Sequence, residues 1–200
     1  GLLSGQFVEY LLRVGDDRLV LGHRLSEWCG HGPILEEDIA LTNIALDLVG
    51  EANLVLQRAG KVEGKGRDQD ALAFLRTDRE YRNALMVELP NGDFGYTIVR
   101  QFLFSTYAMH QWEALSSCTD ADLAGIAAKA LKESRYHVRH SAEWVVRLGD
   151  GTDESHGRAQ DALAQFDQTG RVEWTSDLAE IPEKFGVSNV YCDLGQIFAQ

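Results

Sequence analysis

Apolar residues recur along this chain at intervals of three and four, the period of a helix with one buried face. Phe7, Val8, Leu11, Leu12, Leu19, Leu25 and Trp28 predict a first helix over about residues 5–29. Gly30-His31-Gly32-Pro33 breaks it, and Pro33 is placed to open a second helix. That helix carries Glu36, Glu37 and Asp38 in its first turn, where acids favour the positive end of the helix dipole. Its apolar face runs through Leu35, Ile39, Ile44, Leu48 and Leu54 towards Gly60. The Gly/Lys-rich stretch 60–67 reads as a connector, followed by a shorter helical region over about 69–88. Pro90-Asn91-Gly92-Asp93 is a turn, and Asp93 can cap a third long helix reaching to about 117. Thr119 or Asp120 can cap a fourth, over about 120–148, which Gly149-Asp150-Gly151 ends. A fifth helix is expected from Thr152 to about Gln168, and a short one near 191–199. Strand alternation is nowhere convincing. The expected architecture is therefore all-α, with a bundle over residues 1–170 and a separate C-terminal segment, 171–200.

Charge narrows the choice of partners. A net charge of −12 with no basic stripe disfavours nucleic acid and anionic membrane surfaces. Cys29, Cys118 and Cys192 are odd in number, scattered and free of any Cys-x-x-Cys, as expected of reduced thiols. The opening Gly-Leu-Leu-Ser-Gly-Gln has no basic region followed by an apolar run, and no segment holds about 18 uninterrupted apolar residues. A cytoplasmic location is the expectation.

Long helices with short breaks resemble the ferritin-like four-helix bundles that hold two irons. Those bundles use one Glu on each of two helices and a Glu-x-x-His on each of the others. No Glu-x-x-His occurs in this sequence: Glu27 is followed at that spacing by Gly30, Glu133 by Tyr136 and Glu143 by Val146. Counting outward from the turns near residues 32 and 118 puts Asp16 or Asp17, Asp47, Arg100 or Gln101, and Glu133 with Tyr136 and His137 in one layer. Such a layer has too few carboxylates and imidazoles for two irons, and it carries an Arg. Three readings stay open. Arg100 lies opposite Asp47 or Glu133 in a buried ion-pair network, or Asp47, Glu133 and His137 retain a divergent metal site, or the helices are registered differently from this count.

Other clusters are weaker. His137, His140 and Glu143 share a helix face beside Arg135 and Arg139, which suits a polar surface better than a cation site. His23, Glu27 and His31 suit packing or capping, and Asp153 with His156 suits a first helical turn. Lys61, Lys65 and Arg67 suit a solvated loop, and Trp28, Trp112 and Trp144 a core. No phosphate loop, Gly-x-Ser-x-Gly or activated nucleophile is visible.

Several strings carry a resemblance. They are Arg24-Leu-Ser-Glu27-Trp28-Cys29-Gly30-His31-Gly32-Pro33 continuing to Leu41, Glu63-Gly-Lys-Gly-Arg67, Pro90-Asn91-Gly92-Asp93-Phe94, Arg100-Gln101-Phe102-Leu103, and Ala130-Leu-Lys-Glu133 through Trp144 to Thr152. Over about residues 8–168 the chain resembles the structural subunits of bacterial ring-1,2-phenylacetyl-CoA epoxidase, a family of phenylacetate-degradation proteins. Over Val172–Gln200 the likeness is poor, with only Leu194-Gly195 and the residues after it loosely resembling the family's last helix. It implies a ferritin-like fold with no cofactor of its own and no catalytic residue to carry over. It also implies a hetero-oligomer in which a di-iron subunit epoxidises the ring with O2, using electrons from NADPH through a separate reductase. An autonomous oxygenase with an atypical metal site and a helical ligand-binding protein are the competing expectations.

Overall fold

The computed structural model describes residues 2–169. The helix expected near 191–199 lies outside them. Seven helices follow one another: α1 Leu2–Ser26, α2 Leu35–Glu63, α3 Gln69–Phe74, α4 Leu85–Glu88, α5 Phe94–Leu115, α6 Ala121–Gly149 and α7 Asp153–Thr169. No strand occurs among the described residues.

Boundaries follow local chemistry. Asp93 accepts from the Tyr96 amide at 2.8 Å and Asp120 from the Leu123 amide at 2.9 Å, so each caps its helix as expected. Three expectations need correction. Pro33 does not open α2, whose N-cap is Ile34, without a side-chain hydrogen bond. The helix also runs past Gly60 to Glu63, where Gly64 adopts a left-handed φ of 68° and donates to the Gly60 carbonyl. The region 69–88 is not one helix but α3, a 3-10 turn at Asp78–Glu80, and α4.

The four long helices form a closed ring of antiparallel neighbours. Gly15 meets Leu56 and Gly22 meets Val49, so α1 and α2 run in opposite directions. Arg18 reaches Gln111 and Trp28 reaches Thr97, which sets α1 against α5. His140 reaches Glu37 and Arg58 reaches Asp120, which sets α2 against α6. Consequently α2 and α5 lie diagonally opposite and point the same way. A chain leaving the end of α2 must travel the length of the bundle before α5 can begin. Residues 64–93 make that journey, with α3 packed on α2 and residues 76–88 anchored on α1, one long crossover of the kind found in ferritin-like bundles.

Glycines let α1 and α2 approach closely. A Cβ on Gly22 would stand 2.9 Å from Val49 Cγ2 and 3.2 Å from the Ala45 carbonyl oxygen. The core beneath is apolar and tight, with Leu11, Leu21, Leu25, Leu41, Ile44 and Trp112 fully buried. Trp28 and Trp144 pack edge-on against Phe94, so these two and Trp112 belong to the chain's own packing.

Gly22→Ala should lower stability by about 1–3 kcal/mol through overpacking against α2. Urea unfolding midpoints of the two proteins measure it, and an unchanged midpoint would show that the α1–α2 contact relaxes freely.

Candidate functional site

Each of the four long helices sends a polar side chain to one central level. Arg18 of α1 is fully buried and donates to the Val14 carbonyl at 3.1 Å and to Gln111 Oε1 at 2.7 Å. Its guanidinium carbon lies 4.3 Å from the ring centre of Trp112, and its Nε lies 3.4 Å from Glu51 Oε2. Trp112 Nε1 donates to that same Glu51 oxygen at 3.2 Å. The Glu133 carboxyl of α6 stands beside Glu51. Burial, reinforced by Glu133 and opposed by Arg18, pushes the Glu51 carboxyl up to about 8. A groove of about 110 Å³ opens here between α2 and α6, lined by Leu46, Leu54, Ile126 and both carboxyls among others.

The residues expected in this layer divide into two groups. Asp16 and Asp17 do not face Asp47 but turn outward to the crossover. Asp16 accepts from Arg76 Nη1 at 2.9 Å and the Arg82 amide at 2.8 Å, while Asp17 accepts from the Ala84 amide at 2.7 Å. Burial pushes the Asp17 carboxyl up to about 7. Arg100 meets neither Asp47 nor Glu133. Its guanidinium donates to the Leu89 carbonyl at 2.7 Å and to Asn91 Oδ1 at 2.5 Å, and burial brings its pKa down to about 10. The helical count placed these residues near the right height, but it could not tell which side of α1 or α5 they occupied.

Asp47 and His137 do meet. His137 is buried, and its Nε2 lies 2.9 Å from Asp47 Oδ2. One step along the same helix pair, His140 Nε2 lies 2.8 Å from Glu37 Oε2. Tyr136 is not in the layer at all: it is 42% exposed and stacks beside His140. Glu133 is partly exposed at the groove, 3.9 Å from Lys129. His137 and His140 therefore serve the α2–α6 seam, and the exposed Glu143 joins neither.

Sequence reasoning missed Arg18, Glu51 and Gln111. Glu51 and Gln111 carry an available signal, since a charge or amide within an apolar stripe marks a buried polar group needing a partner.

The central donor set does not fit two bridged irons. A di-iron layer needs about four carboxylates and two imidazoles. Here α1 contributes a guanidinium and α5 an amide, leaving Glu51 and Glu133. The nearest imidazole, His137, is engaged by Asp47. Among the described residues no three His, Cys, Asp or Glu side chains are placed together to hold a metal ion.

Residues 4–169 match the family model described as phenylacetic acid catabolic protein. The chain belongs to that family. Its ferritin-like helical fold is the architecture of these family members. One relative is a component of the 1,2-phenylacetyl-CoA epoxidase of Escherichia coli (strain K12), 49% identical over 158 residues. That alignment covers 79% of this chain and 63% of the relative, so the chain spans less than two thirds of that family member's length.

Removing one partner of the central Arg18–Glu51 contact should be asymmetric. Glu51→Leu leaves the buried Arg18 cation without its carboxyl partner and should cost about 3–5 kcal/mol. Arg18→Met should cost less, because burial already favours the protonated form of Glu51 up to about pH 8, and Arg18→Met/Glu51→Leu should recover much of the loss. Equal losses in all three proteins on chemical denaturation would contradict this account.

The raised carboxyls also fix a pH dependence. A carboxyl whose folded pKa lies above its unfolded value favours folding most when protonated. That contribution is complete below about pH 4 and is lost as pH rises through about 7 for Asp17 and about 8 for Glu51. Glu51→Gln should therefore show a smaller fall in stability between about pH 5.5 and 9 than the parent, and an equal fall would exclude Glu51 as a source.

Proposed function

We propose that this chain is a non-catalytic subunit of a multicomponent oxygenase acting on phenylacetyl-CoA. It pairs with and stabilises a di-iron subunit, which carries out ring epoxidation with O2 and electrons drawn from NADPH by a separate reductase. The observation that carries the reading is Arg18, a buried cation in the central layer where a di-iron bundle needs carboxylate. A cation at that place repels iron, and the repulsion is strong in a low-dielectric core. The similar Escherichia coli protein is named as one of the subunits of 1,2-phenylacetyl-CoA epoxidase, which supports both the substrate and the plural assembly. A cytoplasmic hetero-oligomer fits this reading, with residues 1–170 as the bundle and 171–200 as a separate segment.

An autonomous oxygenase would need Asp47, Glu133 and His137 free to converge on metal. Asp47 and His137 instead engage each other, and Glu133 lies against Glu51. The test is elemental analysis after anaerobic reconstitution with ferrous iron, on the chain alone and on its complex with the di-iron subunit. Expected are substoichiometric iron and no phenylacetyl-CoA turnover for the chain alone, and about two irons per complex. About two irons per isolated chain, lost in Glu133→Ala, would overturn the proposal.

A further inference from the structure

The outer face of α2 is built like the inside of a helix pair, yet nothing in the described chain covers it. Ile39, Asn43, Leu46, Gly50, Asn53 and Gln57 are all exposed. Their spacing alternates between four and three, the repeat that keeps one seam facing a neighbouring helix. None is charged, over a length of about 27 Å. An ordinary solvent-facing helix stripe is rich in charge. The seam also holds substantial apolar surface, with Leu46 65% and Ile39 52% exposed. Among the described helices α2 alone is long and apolar enough to cross a membrane by length and composition, although half its most apolar stretch is buried in the bundle. Its inward charges are committed to neighbours: Glu37 to His140, Asp47 to His137, Glu51 to Arg18 and Arg58 to Asp120.

Gly50 sharpens the point. On the inner α1–α2 contact, Gly15 and Gly22 are small because a Cβ would strike α2. At Gly50 a Cβ would meet nothing within 4 Å. A glycine in a helix interior costs about 1 kcal/mol relative to alanine, and the described chain gains no close approach from it. Close approach by another backbone is what such a position offers. Beside Gly50 lies the groove between α2 and α6, whose lining combines the apolar Leu46, Leu54, Ile126 and Ala130 with Asp47, Glu51 and Glu133. Lys129 lines its far wall and Lys132 follows on the exposed face of α6, two cations on a chain of net charge −12.

We infer that the α2 outer face is the docking seam for a long helix of the partner subunit. That helix crosses closest at Gly50, seats an apolar side chain in the α2–α6 groove and sets acidic residues opposite Lys129 and Lys132. The inference rests on the subunit role proposed above and names the surface that role uses. A second copy of this chain fits less well, because two bodies of −12 repel each other as they approach.

The full chain is co-expressed with the di-iron subunit, as parent and as Gly50→Leu, Leu46→Arg and Leu75→Arg. Leu75 is 80% exposed on the crossover and is not one of the seam residues. Affinity is read by native mass spectrometry and titration calorimetry, and Tm is read on each isolated chain. Expected is a loss of about 30-fold or more in affinity for the two seam variants. Leu75→Arg should bind as the parent does, and Gly50→Leu should keep or raise the Tm of the isolated chain. A parent complex with seam variants of equal affinity overturns the docking seam and leaves the subunit role standing. No complex with the parent overturns both. A Tm lowered by several degrees in both seam variants would show the seam covered within its own chain. Self-association of the parent in analytical ultracentrifugation, abolished by Gly50→Leu, would assign the seam to a second copy. Either of these last two results overturns the inference.

Discussion

A guanidinium without access to water must find its hydrogen-bond and electrostatic partners inside the bundle, and Arg18 sets the centre of this molecule by that requirement. Its partners are Glu51 on α2, Gln111 on α5, and the Trp112 ring beside it. Satisfying them together fixes the relative height of α1, α2 and α5, which apolar packing alone leaves free to slide. The Glu133 carboxyl then brings α6 into the same level through Glu51. A bundle laid out like a metal protein is thus centred on a cation belonging to the chain itself.

Connectivity imposes the second constraint. Because α2 and α5 are parallel across the diagonal, residues 64–93 must lie along the bundle, and their short helices cannot hold that course unaided. Polar anchors hold it instead. Asp16 takes Arg76 and the Arg82 amide, Asp17 takes the Ala84 amide, and Arg24 donates to the Glu88 carbonyl at 2.9 Å. At the far end Asn91 joins Arg24 to Arg100, donating to the Arg24 carbonyl at 2.6 Å and accepting from Arg100. The acids and arginine that suggested a central network are the fastenings of this crossover.

The α2–α6 contact works differently from the others. The α1–α2 pair closes on glycine and aliphatic side chains, whereas α2 and α6 meet through Glu37–His140, Asp47–His137 and Arg58–Asp120. Polar pairs keep this side of the bundle in register while leaving a groove between the helices. The same side carries the uncharged seam of α2 and the exposed cations of α6, so the grooved α2–α6 contact adjoins the surface suited to another helix.

The sequence by itself determined the helices, because their signals are local. Apolar period, the caps Asp93 and Asp120, and the glycines after α2 and α6 each act within a few residues of chain. It also excluded a Glu-x-x-His pair, since that motif needs only i,i+3 spacing. What only the tertiary structure decided was which face of each helix turns inward. Asp16, Asp17 and Arg18 are consecutive, and a rotation of about 100° per residue separates the crossover anchors from the central cation. Height along a bundle can be counted from a turn, and Asp47 and His137, which share a level by that count, meet across α2 and α6. Rotation about the axis depends on every packed neighbour at once, so Arg100 and Tyr136 were placed in a layer that neither side chain enters. The region 69–88 is broken for the same reason: its path is set by anchors on α1, far away in sequence, and not by its own helical pattern.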